Sequence, residues 1–141
     1  MILLRRCFAA ALLAILACTA AAADKPEKVV YHLNDASNAA AALRNIGNHL
    51  DASPQATIVL VAHGPGIDFL LDGAIDKTGT PYDVAVRALA KRGVSFRVCN
   101  NTLQGRNIDR RRVLPEAVIV PSGVAELSRL QAQEGYVYIK P

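Results

Sequence analysis

Cys99 occupies a position where a thiol can react. It is the only cysteine after residue 18, and it directly follows the predicted strand 94–98, where that strand passes into a helix. Free backbone N–H groups and the helix dipole at such a position favour the thiolate. Arg97, which alternates to the same face of the strand, and Arg106 are candidate cationic neighbours. We predict an accessible, reactive thiol; the competing interpretation is a small buried hydrophobic side chain.

His63 is the candidate proton donor or acceptor for this thiol. It directly follows the apolar segment 57–62, and the ordinary pKa of histidine lies close to neutral pH. The competing interpretation is a loop histidine that bonds to the backbone of its own turn. We interpret His32, within the first predicted strand, and His49, near the end of a helix, as structural. No metal site is predicted, because no spacing typical of metal ligands links these histidines to Cys99.

Polar residues follow the predicted strands and form a candidate ligand site. In an open parallel sheet, the carboxyl ends of the strands share one edge, where ligands bind. The candidate ligand-binding residues are Asn34, Gly64, Asn100, Asn101, Thr102 and Arg106. Helix capping is the competing explanation for the asparagines and the threonine. The Gly-Pro-Gly segment at 64–66 lacks the spacing of a dinucleotide loop and the Lys-Ser/Thr ending of a phosphate loop, so no cofactor is predicted.

Strand-like and helical patterns alternate along the chain. The predicted strands cover residues 27–33, 57–62, 94–98, 117–120 and 136–139. The predicted helices run from a cap at Asn34–Asp35 to Leu50, from a cap at Thr80 to Arg92, over 103–115, and from a cap at Ser122 to Gly135. This alternation is typical of βαβ units, so the predicted fold class is α/β with a mostly parallel sheet and right-handed crossovers.

The start of the chain has the pattern of a secretory signal. A short positive segment precedes an apolar run at 9–17, and small residues of a cleavage site end at Ala23. The run is too short for a membrane span. We therefore predict a signal peptide at 1–23 and one domain at 24–141, exported to the periplasm or secreted. The alternative is a lipoprotein anchored at Cys18.

The charge of the chain gives little support to a nucleic-acid partner. Lys and Arg number 16 and Asp and Glu number 12, which gives a net charge of +4. The predicted signal contains two arginines and no acidic residue, so without it the net charge is +2. The basic run Arg110–Arg112 has no interleaved aromatic residues, and we interpret it as a solvated surface.

Residues 67–75 form an apolar segment that is long for a connection between elements. Exposed apolar patches usually mark contact surfaces between proteins. We therefore predict that this segment contributes to a homo-oligomer.

Several motifs, in this order, resemble the DsrE/DsrF-like family. They are VAHGPGI at 61–67, RGVSFRVCNNTL at 92–103 and VIVPSGVAELSRLQAQEGYVYIKP at 118–141. The likeness covers nearly all of residues 27–141 and is greatest to the small, often exported branch of the family. It implies a three-layer α/β/α fold with a five-stranded parallel sheet, and oligomers that are commonly trimers or hexamers.

The resemblance also implies a function for Cys99. In sulfur-carrying members of the family, a cysteine after the third strand carries persulfide sulfur between partner proteins, and Cys99 matches that position by context. Those members often have Arg-Gly several residues later, whereas this chain has the reverse order, Gly105-Arg106. The implied function is a sulfur carrier, at most sulfurtransferase-like, with a protein as sulfur donor or acceptor. The alternatives are a non-catalytic oligomeric module that binds a small ligand or a protein, and a redox-sensing thiol.

Overall fold

The structure, a computed structural model, describes residues 26–141. The strands are β1 (Lys28–Leu33), β2 (Thr57–Ala62), β3 (Ser95–Cys99), β4 (Ala117–Val120) and β5 (Val137–Ile139). The α-helices are α1 (Ala39–Ala52), α2 (Tyr82–Lys91), α3 (Asn100–Gly105) and α4 (Gly123–Glu134), and short 3-10 helices cover Ala36–Asn38, Gly64–Leu70 and Arg110–Arg112. The predicted signal peptide and the alternative lipidation site at Cys18 lie outside the described residues.

The five strands form one all-parallel sheet in the order β4-β3-β2-β1-β5. From β1 to β4 the chain moves stepwise in one direction, so right-handed crossovers place α1 and α2 on one face. From β4 to β5 the chain returns across the whole sheet, so the same handedness places α4 on the opposite face. The α/β class and the five-stranded parallel sheet are thus confirmed.

Each face of the sheet has its own apolar core. Leu60 and Phe96 belong to the larger core, which α1 completes with Ile46. On the opposite face, Val61 packs with Leu130 of α4 in the smaller core. Side chains along a strand alternate between these two cores, which is the pattern of a sheet covered on both faces. Within residues 26–141, no helix is both long enough and apolar enough to cross a membrane.

Two predicted helix starts are wrong. The basic helix predicted over 103–115 instead begins directly after Cys99, as α3, and is followed by a separate 3-10 turn. Thr80 does not cap α2, which begins at Tyr82. The backbone N–H of Thr80 donates instead to the carboxylate of Asp76, and this contact closes a tight loop before the helix.

The prediction that residues 67–75 form an exposed apolar patch is wrong. Ile67, Phe69 and Leu70 are buried in the larger core, and Ile75, at 60% exposure, is the only large apolar side chain of the segment that faces solvent. The segment forms a 3-10 helix that turns these side chains inward. The large exposed apolar side chains are Ile75, Val84, Val118, Val124, Val137 and Tyr138. The predicted homo-oligomer therefore loses its proposed contact surface and stays a prediction.

The turn after β2 crosses the end of β1 at very short range. A Cβ atom added to Gly66 would lie 2.7 Å from Cα of Asn34 and closer still to the carbonyl oxygen of Leu33. Both contacts involve backbone, which cannot move aside without distorting β1. Gly66 thus sets the close approach of the two strand ends that border the sheet edge.

Replacing Gly66 by alanine is expected to destabilise the protein by about 2 kcal/mol or more, because the added methyl group overpacks the end of β1. The matched control is Gly47→Ala in α1, where nothing lies within 4 Å of the added atom. Alanine is expected to stabilise that position by about 0.5–1 kcal/mol, as in other helix interiors. Denaturant titration of both variants measures the difference, and equal effects would contradict the assigned role of Gly66.

Candidate functional site

Cys99 ends β3 and is the residue that precedes the first turn of α3. Its neighbours along β3, Phe96 and Val98, point into the larger core, so Cys99 and Arg97 lie on the face that α4 covers. The Cys99 side chain is only 5% exposed, although it belongs to neither apolar core. The prediction of an accessible sulfur atom is therefore wrong, while its position at the carboxyl edge of the sheet is as predicted.

The pKa of the Cys99 thiol is lower than its usual value because of neighbouring hydrogen-bond donors. Burial raises the pKa of the thiol, but hydrogen bonds from the hydroxyl of Thr102 and from the backbone N–H groups of Gly123, Thr102 and Asn101 outweigh this effect, and the pKa is lower than usual. The hydroxyl oxygen of Thr102 itself accepts from the N–H of Gly64 at 2.9 Å. Its proton is thus free to point at the sulfur, and the site favours the thiolate.

The two predicted cationic neighbours are held by carboxylates. The guanidinium of Arg97 forms an ion pair with Glu126 of α4. Nη1 of Arg106 lies 2.6 Å from Oδ1 of Asp68 and also donates to the carbonyl of Gly64 at 3.3 Å. Uncharged N–H and O–H groups, rather than a neighbouring cation, lower the pKa of the Cys99 thiol.

His63 is in hydrogen-bond contact with a second histidine. Its Nε2 lies 2.7 Å from Nε2 of His32, and the rings stack with centroids 4.7 Å apart. Nδ1 of His32 in turn lies 2.6 Å from the hydroxyl oxygen of Tyr138 on β5. His32 is predicted to be structural from the sequence, and Tyr138 is not among the predicted site residues. Alternation along β1 could have placed His32 on the face opposite Tyr31 and Leu33, but only the strand order brings β5 beside it.

Gly123, the first residue of α4, lies between His63 and Cys99. A Cβ atom at this position would be 3.0 Å from Cβ of His63 and 3.2 Å from Cβ of Cys99. The two side chains are also lateral neighbours in the sheet, because the β2–β3 register pairs Ala62 with Val98 one residue earlier. The predicted proximity of His63 and Cys99 is therefore present, and Gly123 is a member of the site that the sequence analysis missed.

The other predicted ligand residues fall into two groups. Gly64 and Thr102 are brought together with Cys99, and the backbone N–H of Asn101, which donates to the carbonyl of Pro121, helps to lower the pKa of the thiol. Asn34 is exposed at the end of β1, and Asn100 is half-buried at the start of α3. In the part of the chain that the structure describes, no group of three or more His, Cys, Asp or Glu side chains is arranged to hold a metal ion.

The histidine pair is held in its neutral form. Burial lowers the pKa of His32, and His63 and Lys140 lower it further. Burial and Lys140 also lower the pKa of His63. The facing Nε2 atoms of the two rings share one hydrogen. Adding a further proton to the pair would make it positively charged. The pair is thus uncharged at neutral pH.

This pair makes folding stability depend on pH. Since both pKa values lie below the ordinary 6.5, the unfolded chain binds more protons, and stability falls as pH falls below about 6.5 toward the folded-state values. The carboxylates with altered pKa values titrate below this range. Replacing His32 by glutamine is expected to flatten the decrease between pH 7.5 and 5.5, measured as denaturant midpoints. An unchanged slope would contradict this origin of the effect.

Comparisons with known proteins place the fold in a family. The protein of unknown function MTH1491 from Methanobacterium thermoautotrophicum is 29% identical, with a TM-score of 0.73, and the match covers 82% of this chain and 99% of that one. The ychN protein from E. coli has a TM-score of 0.69 with the same coverage, and at 15% identity it shows the fold alone. No curated protein matches the chain. Residues 11–141 match the DsrE/DsrF-like family, and the chain therefore belongs to it.

Proposed function

We propose that this protein is a sulfur carrier that holds sulfane sulfur as a persulfide on Cys99. The observation that carries the proposal is the position of Cys99 at the start of α3, where the hydroxyl of Thr102 and the backbone N–H groups of Gly123 and Asn101 lower the pKa of its thiol. Membership of the DsrE/DsrF-like family supports the same function, because sulfur relay is associated with the family in general.

The proposed reaction needs no oxidant. The Cys99 thiolate attacks the sulfane sulfur of a donor, either a thiol persulfide or thiosulfate. A new S–S bond forms to Cys99, the S–S bond of the donor breaks, and the donor leaves with that electron pair as a thiolate or as sulfite. In the second half, an acceptor thiolate attacks the outer sulfur of the persulfide, and the Cys99 thiolate leaves.

Access to the sulfur is part of the proposal. The start of α4 at Gly123 covers Cys99, and the N–H of Asn101 also bonds to the carbonyl of Pro121 at 3.3 Å. Sulfur transfer therefore requires the 121–123 turn to shift, and we propose that a donor or acceptor protein makes this shift when it binds. We further propose that transfer takes place outside the cytoplasm, in keeping with the signal-like pattern at 1–23.

The low exposure of Cys99 favours a second candidate function. In a non-catalytic, oligomeric binding module, Cys99 would be an internal residue at the start of α3, and its hydrogen bonds would stabilise the turn. The two functions differ in the reactivity of the thiol.

Incubation of the purified protein with thiosulfate or glutathione persulfide is expected to add 32 Da to the peptide that contains Cys99. Intact-mass measurement followed by peptide mapping separates this adduct from any on Cys7 or Cys18. Cys99→Ser is the control and is expected to leave the peptide unmodified. A wild-type peptide without the added sulfur would contradict the carrier function and support the binding module.

Replacing Thr102 by valine is expected to raise the pKa of the Cys99 thiol, because the hydroxyl hydrogen bond to the sulfur is lost. Alkylation by iodoacetamide at pH 7 is then expected to slow by roughly three- to tenfold, since one pKa unit changes the thiolate fraction about tenfold. Thr102→Ser keeps the hydroxyl and is expected to react like the wild type. Equal rates for valine and serine variants would remove Thr102 from the site.

A further inference from the structure

Three side chains form a continuous hydrogen-bonded chain beside Cys99. Tyr138 on β5 is 40% exposed, and its hydroxyl oxygen lies 2.6 Å from Nδ1 of His32. Nε2 of His32 lies 2.7 Å from Nε2 of His63, which neighbours Cys99 across the sheet. The outer end of the chain reaches solvent, whereas Cys99 is only 5% exposed. We name these three side chains the Tyr–His–His chain.

The hydrogen-bond geometry links the protonation states of the two rings. A phenol O–H donates more readily than a neutral imidazole N–H, so the hydroxyl of Tyr138 donates to Nδ1 of His32. The proton of neutral His32 then lies on Nε2 and is donated to Nε2 of His63. The proton of His63 is thus on Nδ1, for which no acceptor is present among residues 26–141. His63 therefore has one N–H donor available for a ligand.

We propose that the Tyr–His–His chain is a proton relay that protonates the thiolate leaving group of a thiol persulfide donor when its sulfur is transferred to Cys99. The inference rests on the proposed function of Cys99 and names its substrate class. His63 is the proton donor, and His32 and Tyr138 are positioning residues that act through it.

The proton balance of this step is complete. As the S–S bond of the donor breaks, its thiolate takes the Nδ1 proton of His63. His63 takes the Nε2 proton of His32, and His32 takes the hydroxyl proton of Tyr138. Water at the exposed end of the chain returns a proton to the hydroxyl of Tyr138. Each imidazole ring has lost one proton and gained one, so neither carries a net charge after transfer. Because Cys99 is only 5% exposed, such a path supplies the proton from the solvent-exposed end of the chain.

The charged and titratable groups around the Tyr–His–His chain favour the uncharged form of its two imidazole rings. Lys140, directly after β5, disfavours a positive charge on either ring. On β3, the thiol of Cys99 is the titratable neighbour of His63, and Arg97 is paired with Glu126 of α4. The α4 residue next to His63 is Gly123, which has no side chain.

The relay selects between sulfur donors by their leaving groups. A thiol persulfide releases a strongly basic thiolate, which gains from protonation as the bond breaks. Thiosulfate releases sulfite, which is a weaker base and gains little. Loss of the relay is thus expected to slow transfer from the first donor class and to leave transfer from the second nearly unchanged.

The first experiment determines the histidine tautomers directly by ¹⁵N–¹H NMR of the full-length protein. The expected result is an Nδ1–H tautomer for His63 and an Nε2–H tautomer for His32, with both forms populated in Tyr138→Phe. Tyr136→Phe, two residues away and outside the chain, is the control. An Nε2–H tautomer for His63, or unchanged tautomers in Tyr138→Phe, would overturn the relay.

The second experiment measures the rate of sulfur transfer to Cys99 from glutathione persulfide and from thiosulfate. In Tyr138→Phe, we expect a roughly tenfold decrease with the persulfide, less than the loss of the general acid itself because His63 is retained, and less than about twofold with thiosulfate. Equal slowing with both donors indicates a structural role and overturns the relay, as does unchanged transfer with both. If Cys99 of the wild type takes sulfur from neither donor, the proposed function itself fails. This outcome is distinguishable from failure of the relay, which is seen only in the comparison of Tyr138→Phe with the wild type.

Discussion

The right-handed return of the chain from β4 to β5 determines the site. Because the strand order is β4-β3-β2-β1-β5, this connection crosses the face of the sheet opposite α1 and α2. Its helix, α4, therefore begins above the carboxyl ends of β2 and β3, where His63 and Cys99 lie side by side. The same return adds β5 next to β1 and brings Tyr138 to His32. One topological constraint thus assembles groups from four strands and one helix.

The absence of a side chain at Gly123 allows the start of α4 to pack directly against His63 and Cys99. A methyl group there would press on Cβ of both His63 and Cys99, so α4 approaches the sheet with backbone alone. This close approach also brings the backbone N–H of Gly123 to Cys99. Together with the hydroxyl of Thr102, it lowers the pKa of the thiol. These neutral donors outweigh the rise in the thiol pKa that burial causes, and no neighbouring cation contributes to the lowering.

Local sequence patterns predicted the strands well and the connections less well. Nearly continuous apolar runs such as 57–62 identify strands covered on both faces, and glycine with positive φ at Gly93 and Gly135 ends helices as expected. The segment 67–75 was misjudged because its composition fits both an exposed patch and a buried loop. Only the tertiary structure, in which Gly66 passes against the end of β1, turns it inward.

Only part of the candidate site can be predicted from the sequence, because the rest depends on the tertiary structure. The carboxyl-edge rule groups Cys99 and His63, since each lies at the carboxyl end of its own strand. The contact of His32 with Tyr138 joins residues 106 positions apart and depends on which strand lies at the edge beside β1, which local pattern does not determine. The path from His63 through His32 to the exposed Tyr138 exists only in the assembled sheet, because it depends on the order in which the strands lie side by side.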